Sequence, residues 1–135
     1  MKRKCLANAE CAVARALDAI GDWWSLLIIR DAFFSRRRFG EFQKSLGLAR
    51  NILTTRLRKL VDRGVLEMVP ASDGSKYQEY VLTEKGRGLD VVLIALRQWG
   101  ESFLYEPGEA CGAKDDDAEV AADARIITAK VRVVG

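Results

Sequence analysis

The run over residues 39–86, FGEFQKSLGLARNILTTRLRKLVDRGVLEMVPASDGSKYQEYVLTEKG, constrains this chain more than any other part of it. It predicts a short helix over 39–45, a turn at Leu46-Gly47-Leu48, a longer basic helix over 49–63, and two strands over 65–69 and 77–82. Leu53, Leu57, Leu60 and Val61 recur at i, i+4, i+7 and i+8, which is the buried stripe of an amphipathic helix. Asn51, Thr55, Arg58, Lys59 and Asp62 project the other way. Gly64 supplies the helix stop, Pro70 ends the first strand, and Asp73-Gly74 marks a hairpin tip. The fold class that follows is mainly α with a small β-hairpin.

The flanking segments supply the core. A helix is predicted over 9–20, with Val13, Ala16, Leu17 and Ile20 on one side. Gly21 ends it and Asp22 can cap the next helix, 23–34. Trp24, Leu27, Ile28 and Phe33, with Leu26 and Ile29 between them, make that helix apolar on most sides and central to the core. Thr83-Glu84-Lys85 starts a long helix running to about residue 104, with Leu89, Val92, Leu93, Leu96, Trp99 and Phe103 along one side. Three regions result: a loose basic arm over 1–10, one domain over 11–106, and a tail over 107–135. The tail begins with an acidic, Ala-rich linker. Ile127, Ala129, Val131 and Val133 then alternate with polar residues, which predicts a short strand that either pairs across a dimer or stays unordered.

Charge is the next constraint. Residues 1–63 carry 14 Lys/Arg against 6 Asp/Glu, a net of +8, while residues 64–135 carry 8 against 13, a net of −5. The positive half contains the basic helix, as expected of a part that meets a polyanion. The longest apolar stretch, 23–29, falls short of a membrane span, and the basic start is followed by no signal-type core; a cytoplasmic protein is expected. Three cysteines and no histidine suit neither a disulfide framework nor a zinc site, so no metal or cofactor is expected. An enzyme is not expected either. There is no histidine base, nucleophile elbow or phosphate loop, and Gly86-Arg87-Gly88 meets Val91 where a dinucleotide fingerprint needs its third glycine.

A helix presenting short polar groups and forked donors suits the major groove, where base edges distinguish all four pairs. Double-stranded DNA is therefore the expected partner, in the manner of a winged helix-turn-helix. Arg50, Asn51, Thr54 and Thr55 are the candidate base readers. On an ideal wheel Arg50 and Thr54 drift toward the core side, which leaves Asn51 and Thr55 as the stronger pair. Arg56, Arg58, Lys59, the Arg36-Arg37-Arg38 run and Lys76 suit phosphates, which hold register without reading sequence. The plain alternative for each is a solvated surface residue. A two-fold operator requires a dimer, with Val13 and Leu17 of the first helix and Leu96, Trp99 and Phe103 of the last as the interface. A protein-interaction adaptor on the same fold is the rival reading.

Seven segments together resemble the HxlR-type winged helix-turn-helix regulators, relatives of the MarR group. They are Cys11-x5-Leu17-x2-Ile20-Gly21, Trp24-x3-Ile28-x-Arg30-Asp31, Arg38-Phe39-Gly40-Glu41-Phe42, Leu53-x2-Arg56-Leu57-x2-Leu60, Gly64-x-Leu66, Tyr80-x-Leu82-Thr83-x-Lys85-Gly86 and Trp99-Gly100. The resemblance implies a dimeric, DNA-binding bacterial transcription regulator. It also makes Cys11, at the head of the first helix, a candidate redox or electrophile switch, with a disulfide to Cys5 or Cys111 as one route; a small, partly buried core residue is the other reading. A small-molecule effector pocket between the dimer helices, lined by Trp23, Trp24 or Phe34, is the competing input. The chain departs from the family at Ala12, at Asp22-Trp23 and at the hairpin tip. There Lys76 is the only cation and Asp73 opposes it, so a modest backbone contact is expected from the wing.

Overall fold

Asp22 fixes where the first two helices part. Its Oδ2 accepts from the Ser25 amide at 3.0 Å and its Oδ1 from the Ser25 hydroxyl at 2.7 Å. Helix α1 (Ala12–Ile20) therefore ends before α2 (Trp23–Phe33) begins. Burial pushes the Asp22 carboxyl up, but the Ser25 hydroxyl and amide, with Arg56 nearby, more than offset this and hold it below the usual carboxylate value. The computed structural model describes residues 5–109 and 125–132. Helices α3 (Phe39–Leu46) and α4 (Arg50–Asp62) follow, then strands β1 (Leu66–Pro70) and β2 (Gln78–Leu82). The strands pair antiparallel, Leu66 opposite Leu82 and Pro70 opposite Gln78. Helices α5 (Glu84–Arg87), α6 (Asp90–Phe103) and α7 (Arg125–Thr128) complete the order.

Helix α2 is central, with Ile28 and Ile29 at zero exposure, and α3 and α4 close over it through Phe42, Leu53, Leu57 and Leu60. Gly47 turns α3 into α4 with φ of 65°, a left-handed conformation that favours glycine. Helix α2 ends the same way on a residue less suited to it. Ser35 adopts φ of 66°, and the Arg36 amide returns to the Asp31 carbonyl at 3.1 Å. Past α4, the Arg63 guanidinium donates to the carbonyls of Asp18 and Ala19 at the end of α1, at 2.7 and 2.6 Å.

Four features differ from the sequence expectations. Helix α1 starts at Ala12, not residue 9, because the Ala9 amide turns back to the Leu6 carbonyl and Cys11 takes the N-cap position. The arm is not loose over its described part, since the Leu6 amide donates to Asp18 at 3.0 Å; residues 1–4 lie outside the described residues. The long helix expected after Thr83 is two helices. Gly86 packs so closely that an added Cβ would stand 2.2 Å from the Val65 carbonyl oxygen, and the chain re-aims through Gly88 and Leu89 before α6. The expected terminal strand is, over its described part, a helical turn followed by irregular chain. Ile126 is buried, Arg97 donates to the Ala129 carbonyl, and the Val131 amide donates to Gln98 at 2.9 Å, so its polar groups meet α6 side chains instead of a strand edge. The acidic linker, Cys111 and Val133 lie outside the described residues.

Candidate nucleic-acid interface

Helix α4 buries Leu53, Leu57 and Leu60 and turns Arg50, Asn51, Thr54, Thr55, Arg58 and Lys59 to solvent. The Thr54 hydroxyl donates to the Arg50 carbonyl at 2.7 Å and the Thr55 hydroxyl to the Asn51 carbonyl at 2.9 Å. Both protons are thereby committed, and each threonine presents its methyl and oxygen lone pairs outward. Ala49 caps α4 with no side-chain acceptor, which leaves the first-turn amides open to an anion such as a phosphate.

Arg50 and Thr54 do not drift toward the core as the ideal wheel suggests. They line a groove of about 880 Å³ between α3, α4 and the wing, together with Phe39, Lys44 and Tyr77. The Arg50 guanidinium lies 5.3 Å from the centre of the Phe39 ring, which holds it at the groove wall. Lys44 is a cation of this groove that the sequence reading passed over. Its signal was the exposed side of α3, where it stands one turn from Gly40.

The arginine run is largely committed within the protein. Arg36 meets the buried Asp31 at 3.4 Å, and Arg37 stands 3.9 Å from Glu79. Arg38 reaches the wing tip at Asp73 (2.5 Å), the wing strand at Glu79 (3.5 Å) and the Tyr77 ring at 5.3 Å. The Tyr80 amide also donates to the Arg37 carbonyl at 2.7 Å. The segment ahead of α3 thus pins the wing, and of the three arginines Arg37 keeps the most open guanidinium. Ser75 and Arg38 hold the Asp73 carboxyl well below the usual carboxylate range. Asp73 therefore faces Arg38, not Lys76, and among the described residues Lys76 has no ion-pair partner at the wing tip. Arg56 turns toward the cap of α2, 3.4 Å from Asp22.

The remaining candidates lie away from this face. Val13 and Leu17 on α1 and Leu96, Trp99 and Phe103 on α6 are exposed, Trp99 at 56% and Phe103 at 71%. Cys11 is exposed, not a core residue, and so is Cys5. Trp23 is 72% exposed at one end of α2, whereas Phe34 is buried just past the other end.

A model of the HxlR-like helix-turn-helix family matches residues 19–107. The HTH-type transcriptional regulator Rv3095 of Mycobacterium tuberculosis is 46% identical over 96 residues, 71% of this chain and 61% of its own length. The chain thus spans about three-fifths of the length of that curated relative. Among solved structures, that of PA1607 shares 56% identity with a TM-score of 0.76, covering 83% of this chain and 80% of its own. The redox regulator HypR in its oxidized form shares 31% identity with a TM-score of 0.61, covering 68% of this chain and 96% of its own.

Proposed function

The chain belongs to the HxlR-like helix-turn-helix family, and from that premise we propose that it is a sequence-specific, DNA-binding transcription regulator. Helix α4 enters the major groove, with Asn51 and Thr55 reading base edges and Arg50 and Thr54 at the groove wall. Arg58, Lys59, Lys44, Arg37 and Lys76 contact phosphates. The observation that carries this reading is the division of α4, whose buried leucine stripe leaves one polar and basic face with no protein partner for Asn51 or Arg58 side chains among the described residues. Occupation of a site suffices for repression, which is the simpler direction of control. The protein acts as a homodimer joined through the exposed apolar faces of α1 and α6, and such a dimer suits a two-fold operator.

Gel shifts on the DNA upstream of the gene, over a range of salt, test the proposal. Affinity for the matched site is expected to fall linearly with salt on logarithmic axes. Asn51→Ala is expected to cost about 1–3 kcal/mol on the matched site and little on a scrambled one. Equal losses on both would remove the base-reading role. No binding above background would favour the adaptor reading.

Cys11 is the proposed input. Its thiol is exposed at the head of α1, next to the proposed dimer face. Two thiols, Cys11 and either Cys5 or Cys111 of a second subunit, would give up two protons and two electrons to hydrogen peroxide, forming one disulfide and two waters. Cys11→Ser is expected to keep DNA bound at peroxide levels that release the unaltered protein; release of both alike would exclude Cys11.

A further inference from the structure

The middle of the free face of α4 is less basic than the helix as a whole. Arg50 leans on the Phe39 ring at 5.3 Å, at the groove wall. Arg56 turns to Asp22 at 3.4 Å. Arg58 stands about two turns beyond Asn51. Between them lie Asn51, Ile52 and Thr55. Ile52 is an aliphatic side chain, 39% exposed, on a face whose other exposed residues are polar or charged. It stands three residues before Thr55, which makes the two neighbours on the helix surface. The Thr55 hydroxyl proton is spent on the Asn51 carbonyl at 2.9 Å, so Thr55 has no proton for a base acceptor and offers its methyl.

From this arrangement we infer that Ile52 and the Thr55 methyl together form an apolar contact for the 5-methyl group of a thymine in the major groove. Of the base edges presented there, thymine alone carries an apolar group in unmodified DNA. Guanine presents two acceptors, and neither Ile52 nor Thr55 has a proton to give them. Asn51, one turn before Thr55, carries the donor and acceptor that match adenine N6 and N7. The recognised pair is therefore thymine·adenine, with the methyl against Ile52 and Thr55 and the adenine edge toward Asn51. The inference rests on the DNA-reading role of α4 proposed above, and it names the base chemistry at the centre of that site.

Selection of duplexes from random DNA by the full chain supplies a site, and gel shifts on that site test the contact. Replacing each thymine in turn by deoxyuridine removes the methyl and leaves every hydrogen-bonding group in place. At least one thymine in each half-site is expected to lose about fourfold in affinity, the worth of one buried methyl. Ile52→Ala and Thr55→Ser are each expected to shrink that preference below about twofold while melting close to the unaltered protein, since both side chains are exposed. A 5-methylcytosine·guanine pair in the same place keeps the methyl but removes the adenine, and is expected to bind about tenfold more weakly than thymine·adenine. A site at which no thymine is sensitive to deoxyuridine, or a preference that survives in both variants, would overturn the inference and leave α4 on DNA. Equal binding of 5-methylcytosine·guanine and thymine·adenine would overturn the assignment to thymine. Failure to select or shift any duplex would overturn the DNA reading, and this inference with it.

Discussion

Phe42→Ala is expected to destabilise the domain by about 3–5 kcal/mol, the usual cost of removing a fully buried aromatic ring. Phe42 has no exposed surface, and its ring meets Tyr80 edge to face with centroids 6.5 Å apart. The residue therefore fastens two things at once: α3 to the core under α2, and the wing strand to α3. The ring has little chance to be replaced by local collapse, because Ile28, Ile29 and Leu53 around the same core are themselves fully packed. Against a total stability of roughly 5–15 kcal/mol, the loss is large. Urea unfolding followed by circular dichroism should show a lower midpoint at unchanged slope. Phe42→Leu, which retains most of the apolar contact, should lose far less. A shift below about 1 kcal/mol for the alanine variant would mean that α3 is not anchored as described.

Trp99→Glu is expected to raise the dissociation constant of the proposed dimer about 30-fold or more, the effect of removing an aromatic anchor worth ~2 kcal/mol or above. Trp99 and Phe103 lie together on α6, with ring centroids 5.8 Å apart and both rings mostly in solvent. A charge at residue 99 costs the isolated protomer little, since the side chain is already exposed, but it cannot be buried unpaired between two copies. Sedimentation equilibrium reads the change directly. Affinity for a two-fold site should fall in parallel while the thermal midpoint of the dissociated protomer stays in place. A variant that remains dimeric at the same concentrations would remove α6 from the interface.

What was legible in the sequence was whatever depends on neighbours along the chain. The Leu53–Leu57–Leu60 stripe, the Asp22 and Thr83 caps and the Asp73-Gly74 tip all follow from residues within one turn of each other, and the structure has each of them. Contacts between distant residues were not legible. Gly86 reads as a weak helix residue, yet its lack of a side chain is required by Val65, twenty-one positions earlier. Arg38 reads as a phosphate contact, but Asp73, 35 residues away, and Glu79 claim it. The alternation over 127–133 reads as a strand because period counting cannot see that Gln98 and Arg97 offer hydrogen bonds to that stretch. For the candidate interface, α4 was identified with its exposed face, whereas the division of the arginine run and the place of Lys44 in the groove required the fold.

The Arg63 contact with the last carbonyls of α1 bears on how a dimer would measure its site. A guanidinium that closes the end of one helix while standing at the end of another acts as a strut, and here it braces α4 against α1. If α1 lies at the subunit boundary, the separation of the two α4 helices becomes a fixed span of the protein. Such a molecule is a ruler as well as a reader. One base pair inserted between half-sites would swing one of them about 35° around the duplex axis. The braced helices could not follow that rotation, so spacing would discriminate among sites whose bases are identical.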